Sequence, residues 1–291
     1  MSLCQDNKSF MQRERVAEDI YLFTSDLYAQ VTAGVVATPD GAIVIDTLVY
    51  PEETQLIKRF VENRLNTVVR YVINTHFHAD HTTGTCFFPS AKVVSHARCR
   101  MLLDQRGRDS LEQAKATAEE MQGVELILPN IVFDKGVLNL HIGNKTLQLW
   151  HTPGHSPDSI VCLVKEDRVL FAADTLMPLP YFVDGSYEDF LESLNDLRGR
   201  NFENVIQGHG EVILRGEIED KIQNDIDYLH KLRAAVDKAL ASSAPDKSLA
   251  SIDIERCGKS RILLNGTAQQ LHRKNVLTLA SQRRELASQQ L

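Results

Sequence analysis

The sequence predicts an α/β protein of the α+β kind, with two β-sheets packed face to face and helices on the outside. Two observations predict it. Short β-branched runs, helical patterns, a second set of short runs and a second helical stretch follow one another in that order, where strict βαβ winding would alternate them. From about residue 216 the pattern is helical alone, so residues 1–215 read as the sheet-bearing domain and 216–291 as a helical extension packing on it or extending it. A chain of 291 residues, 43% hydrophobic and 24% charged, is long enough to bury a substantial core.

Val31 to Ala37 and Ala42 to Asp46 flank Pro39-Asp40-Gly41, a hairpin in which glycine supplies the positive φ. Pro51 opens an amphipathic helix to about Leu65, and Val68 to Thr75 is a strand that runs into a histidine-rich loop. Helical patterns follow at about 95 to 105 and 110 to 121. The second strand set comprises Ile131 to Phe133, Val137 to Ile142, Thr146 to His151, Ser159 to Val164 and Arg168 to Ala173, with Gly143-Asn144 and Glu166-Asp167 as turns. Ser186 is placed to cap a helix from Tyr187 to about Arg198, and Asn204 to Gln207 is one more short strand. Helix resumes from about Gly216 to Ala241. A polar break at Ser242 to Asp246 then leaves 247 to 291 as a short helical appendage with a frayed end.

Composition excludes several classes. The formal charge of -7, from 39 acids and 32 bases, includes no dense Lys/Arg stripe, which argues against a nucleic-acid partner. No run is long and apolar enough to span a bilayer, and MSLCQDNKSFMQRER lacks the apolar stretch of a secretory signal, so the expectation is a cytoplasmic protein acting on a small molecule. Cys4, Cys86, Cys99, Cys162 and Cys257 are scattered and never paired as C-x-x-C, which indicates neither a disulfide framework nor a thiolate zinc ribbon.

The strongest chemical signal is His76-Phe77-His78-Ala79-Asp80-His81, directly after the strand ending at Thr75. Three imidazoles and a carboxylate within six residues repel one another whenever the imidazoles are protonated; a bound cation resolves the crowding. Six residues cannot surround a metal alone. Three further candidates stand at strand ends: His155 in Thr152-Pro153-Gly154-His155-Ser156, Asp174 after RVLFAA, and His209 in Gly208-His209-Gly210. Histidine and carboxylate donors without thiolate suit Zn2+ best, with Fe or Mn allowed by the same set. Asp46, Thr75, Thr82, Thr83 and Ser156 are placed to support the ligands or merely to complete turns, while His96, His141, His151, His230 and His272 have no motif context.

Taken together, H-x-H-x-D-H, T-P-G-H-S, A-D-T and G-H-G, in this order, resemble the metallo-β-lactamase superfamily over roughly residues 16 to 215. The resemblance implies a four-layer αββα sandwich with a metal-binding groove at one edge of the sheets. It implies two divalent ions, the first held by His76, His78 and His155, the second by Asp80, His81 and His209, and both bridged by Asp174. A pair of such ions lowers the pKa of a shared water and stabilises an oxyanion, which would let a bridging hydroxide attack an ester, thioester, lactone or amide-type bond. Asp80 would then orient the water or accept its proton as the catalytic residue.

Within the resemblance, Asp174 stands where some β-lactamases carry a bridging cysteine. A class B3-like β-lactamase, the type without it, stays open on A-A-D-T-L-M-P-L-P-Y. The basic glutathione-binding positions of glyoxalase II-like thioesterases and the tyrosine that acyl-homoserine lactonases place after the bridging aspartate are absent from the expected places. A mononuclear iron oxygenase resembling the persulfide dioxygenases shares these motifs, although it does not require His81 and His209. Substrate selection is expected in Met177 to Glu188, where Tyr181, Phe182 and Tyr187 are candidates to wall an apolar pocket. The helices after Gly216 are candidates for a lid, a homodimer surface or a cover for the sheet.

Overall fold

The computed structural model describes residues 11–289. Cys4 and the last two residues of the C-terminal segment lie outside them.

Two sheets form the centre. The first joins β1 (Gln12–Ala17), β2 (Ile20–Thr24), β3 (Thr32–Thr38), β4 (Gly41–Ile45), β5 (Val69–Ile73), β6 (Lys92–His96) and β7 (Ile131–Phe133) in sequence order. Its first four strands are antiparallel; β4 to β7 are parallel. Parallel neighbours need crossovers, and helices supply them. α1 (Pro51–Arg59) continues as a π-helical turn over Phe60–Arg64; α2 (Ala79–Thr82) follows β5; and α3 (Ala97–Leu102), a second π turn over Leu103–Gly107 and α4 (Arg108–Thr117) follow β6. The second sheet has the order β13 (Val212–Leu214), β12 (Asn204–Gln207), β11 (Val169–Ala173), β10 (Ile160–Val164), β9 (Lys145–His151) and β8 (Val137–Ile142). Only β11 and β12 are parallel, joined through α5 (Tyr187–Leu197), which Ser186 caps by accepting from the Asp189 N–H.

Three apolar clusters fill the spaces between four layers. Side chains alternate across a strand, so Ile43 and Ile45 of β4 face the second sheet, while Ala42 and Val44 face α1. In β11, Val169 and Phe171 face the first sheet, whereas Leu170 and Ala172 meet α5, α6 (Ile218–Leu240) and α8 (Ala268–Gln289). The outer cluster joins residues on both sides of position 215, so the C-terminal helices share a core with the second sheet. The architecture is the αββα sandwich, and among the described residues no helix is long and apolar enough to cross a membrane.

The structure corrects two expectations about the chain's elements and adds β1, β2, β6 and β13, for which the sequence reading named no strand. The hairpin β1–β2 and the edge strand β13 carried no distinct pattern; β1 is largely exposed and charged, as edge strands often are. The helix expected from 110 to 121 ends at Thr117 and gives way to a 3-10 turn at Glu119–Met121. The short appendage is a 22-residue helix, α8, preceded by α7 (Pro245–Ala250). Its buried stripe, which includes Ala268, Val276, Leu279 and Ala280, is narrow because it meets only one side of the helical layer.

Candidate metal centre

All the motif residues sit at one edge of the sandwich. β5 ends just before His76, β11 ends at Ala173 and delivers Asp174, β12 delivers His209, and the β9–β10 connection delivers His155. Backbone bonds between the sheets fix this edge: the Ile160 N–H donates to Thr75 O at 2.9 Å and the Thr32 N–H to Gly208 O at 2.9 Å. Ala173 at φ 45° and Asp46 at φ 57° hold left-handed backbone next to these turns, the sparsely populated conformation that clusters at functional sites. Gly208 is required by close approach: a Cβ there would lie 1.8 Å from Asp174 Oδ1.

The seven side chains converge. Donor atoms of His76, His78 and His155 form one group; Asp80, His81 and His209 form another; His76, His81 and Asp174 form a third that overlaps both, and within each group the atoms lie within 4.8 Å of one another. His78 Nδ1 is 3.1 Å from His76 Nε2 and 2.9 Å from His155 Nε2. Asp174 lies between the first two groups, with Oδ2 3.3 Å from His155 Nε2 and 3.5 Å from His209 Nε2, and Oδ1 3.3 Å from His81 Nε2. Asp80 Oδ2 is 3.5 Å from His209 Nε2 and 3.8 Å from His81 Nε2.

The outward ring nitrogens set the tautomers. His81 Nδ1 donates to Asp46 Oδ2 at 2.8 Å, His155 Nδ1 to Tyr181 O at 2.6 Å, His209 Nδ1 to Ala29 O at 2.9 Å and His78 Nε2 to Asp184 Oδ2 at 2.9 Å. Thr75 Oγ1 donates to Asp46 Oδ2 at 2.7 Å, leaving its lone pairs to accept from His76 Nδ1 at 3.1 Å. Five imidazoles therefore turn their other ring nitrogen inward, the arrangement that orients histidine for a metal. His81 Nε2 and Asp174 Oδ1 are buried without a hydrogen-bond partner, an expensive state that a divalent cation would relieve. The donor set fits such a cation.

Charge divides the imidazoles into two kinds. Burial drives His76 well below the ordinary histidine range, with His81 and His78 adding repulsion, and burial lowers His155 to about 4. Burial also opposes a proton on His81 and on His209, but Asp174 outweighs it at both, with help from Asp80, and holds His81 well above the ordinary value and His209 above it. Burial disfavours the Asp174 carboxylate, yet His209, His155 and His81 keep its pKa well below the usual range.

Asp46 bonds His81 and Thr75 bonds His76; Thr82 and Thr83 bond the carbonyls of His78 and Ala79, and Ser156 bonds Asp158. The five motif-free histidines join none of the three groups. Of the expected pocket aromatics, Tyr181 flanks His155, with ring centroids 5.9 Å apart. Phe182 and Tyr187 are a correction: at 0% and 1% exposed they are fully buried in the outer core with Phe190, because the loop turns them inward as anchors. Sequence reasoning missed Asp184, for which the only signal was that His78, facing inward by Nδ1, needs an acceptor for Nε2. It also missed Tyr28, an exposed residue whose pKa is raised chiefly by the Asp80 carboxylate and then by burial, so that it stays a neutral donor beside the cluster.

Comparison with known proteins agrees with this geometry. Residues 28–209 match the family described as the metallo-beta-lactamase superfamily. The chain is similar to the Beta-lactamase-like protein 2 homolog of Caenorhabditis elegans, 24% identical over 184 residues that cover 60% of this chain and 53% of that protein. It is also similar to the atrochrysone carboxyl ACP thioesterase of Aspergillus fumigatus, 25% identical over 176 residues, 60% of this chain and 49% of that one. The chain thus spans about half the length of these curated relatives. A solved metallo-beta-lactamase from Pontibacter korlensis shares the fold, with a TM-score of 0.63 at 17% identity over 76% of this chain and 99% of that chain. With the family match spanning most of the sandwich and every motif residue gathered at its edge, the chain belongs to the metallo-β-lactamase superfamily.

Proposed function

We propose that the chain is a hydrolase of small-molecule acyl esters or thioesters whose site holds two divalent ions, most naturally zinc. The observation that carries this is the division of seven side chains into two groups joined through Asp174. His76, His78 and His155 would hold one ion, Asp80, His81 and His209 the other, and Asp174 both. When bound, such ions lower the pKa of water and polarise the carbonyl under attack. The thioesterase named among the similar proteins supports an acyl substrate.

The remaining work falls to the chain's own residues. Asp80 Oδ2 faces the centre from a partly exposed side chain, where it can take the proton that water releases on adding to the acyl carbon. Asp46, Asp184 and the carbonyls of Tyr181 and Ala29 hold the imidazoles in one tautomer. Tyr181 flanks His155, with ring centroids 5.9 Å apart, and burial keeps its hydroxyl protonated by pushing it to about 12.

Protein purified without added metal should contain near two zinc per chain and hydrolyse short acyl thioesters. His155→Ala and Asp174→Ala should each lower metal content, the first toward one ion per chain, with activity falling by about a hundredfold, the upper end of what loss of a partner to a metal ligand costs. One iron per chain, with oxygen consumed on a thiol substrate, would overturn the reading.

A further inference from the structure

A cavity of about 380 Å³ opens beside His78 and Asp184 and runs under the π turn and α4. Its lining is segregated. Leu103, Met121 and Val124 are buried, and Leu126 is half-buried. On α4, Leu111 and Ala114 stand three residues apart, hence on one face, and both line the cavity; no side chain of α4 is fully buried, so this apolar face lies over the cavity with no core beneath it. The charged members of the lining, Arg106, Glu125 and Asp184, are solvent-exposed, with Arg106 Nη1 3.8 Å from Asp184 Oδ1. Thr82 and Thr83 commit their hydroxyls to backbone carbonyls. None of the buried unpartnered polar atoms among the described residues belongs to the lining. Ser110, the remaining hydroxyl of the lining, is exposed like the charged residues, so an occupant is held by burial, without directional bonds in the buried part.

We propose that this cavity binds an unbranched aliphatic chain of the substrate and so sets its length preference. The placement of the reacting group at the mouth rests on the hydrolase reading; the binding of the chain does not. An aliphatic chain is the occupant that matches an interior of leucine, methionine, valine and alanine with charge only at the mouth. The π turn at Leu103–Gly107 shapes the wall, as such bulges do at many functional sites.

The test uses straight-chain 1-alkanols from butanol to decanol, which carry no acyl bond, titrated calorimetrically into the intact protein. Kd should fall about fourfold with each added methylene, then level off when the cavity is full. Ala114→Phe should weaken decanol binding at least about tenfold and leave butanol nearly unchanged. Ala114→Leu, a mild change on an exposed helix, should move the plateau to shorter chains. No length dependence, or undiminished decanol binding by both variants, would overturn the proposal. Acyl thioesters of rising length complete the separation: alkanol binding without any hydrolysis supports the cavity and removes the hydrolase reading, whereas hydrolysis of short thioesters without alkanol binding does the reverse.

Discussion

Asp46 shows how much one carboxylate can organise. At 3% exposed it accepts from the Thr75 N–H at 2.8 Å, from Thr75 Oγ1 at 2.7 Å and from His81 Nδ1 at 2.8 Å, and so fixes the start of the histidine loop and its last imidazole together. Asp46→Asn replaces one acceptor oxygen by a donor, and metal affinity measured by chelator competition should drop ten- to a hundredfold with the fold intact. The same substitution at the more exposed Asp184 should cost less. His96 predicts a pH response away from the cluster. Its Nδ1 accepts the Arg98 N–H as cap of α3, its Nε2 donates to Asp134 O, and its ring stacks on His151 at 4.2 Å. Burial and then His151 lower its pKa from 6.5 to about 4. The unfolded chain therefore binds the extra proton first on acidification, and the stability contributed by neutral His96 is complete above about pH 6.5 and is lost as pH falls through 4. His96→Asn, which keeps a capping acceptor, should flatten that part of the urea-midpoint profile. The seven motif residues were legible because each lies in a short local pattern. Asp184 and Tyr28 were not, since only the fold brings them to the cluster, and Phe182 and Tyr187 show that aromatic character alone does not tell a pocket wall from a buried anchor.

Apolar runs bounded by turn residues were read well, and elements without such bounds were not. β4, β9, β10 and β11 are bounded by turn residues and appear within one or two residues of where their patterns place them. β1 hides because its exposed, charged residues need only one neighbour, and α8 hides because Gln, Arg and Ser occupy most of its outer surface. The π turn that ends α1 keeps the expected helix to Arg64 but changes its winding. Turns impose their own demand. Gly208 leads from β12 into His209, and the space its missing Cβ would fill belongs to Asp174. Gly208→Ala should therefore lower metal content, measured on the folded fraction, by about an order of magnitude or more, since the added Cβ would meet Asp174 Oδ1 at 1.8 Å and also press on the end of β11, with Ala173 C at 2.6 Å and Asp174 N at 2.8 Å.

Across the protein, the sandwich and the C-terminal helices form one system. α8 reaches the loop after Asp174 through two amides: Asn275 donates to Pro180 O at 2.6 Å and accepts from the Phe182 N–H at 3.2 Å, and Gln282 donates to Gly185 O at 2.9 Å. That loop in turn supplies the Tyr181 carbonyl to His155 and the Asp184 carboxylate to His78. Asn275→Leu leaves buried backbone groups unpaired, so it should destabilise the protein by about 1–3 kcal/mol in urea unfolding and also loosen metal retention. Intact metal retention at reduced stability would show that the two are uncoupled. The sequence could place helices after Gly216 but could not show what they touch, because the amides involved look like any surface Asn or Gln.

That relay gives the family scaffold an adjustable mount. Two imidazoles of the centre thus lean on a loop that is itself pinned by a helix on the far side of the fold, so a substitution on the inner face of α8 is expected to reach them with no motif residue altered.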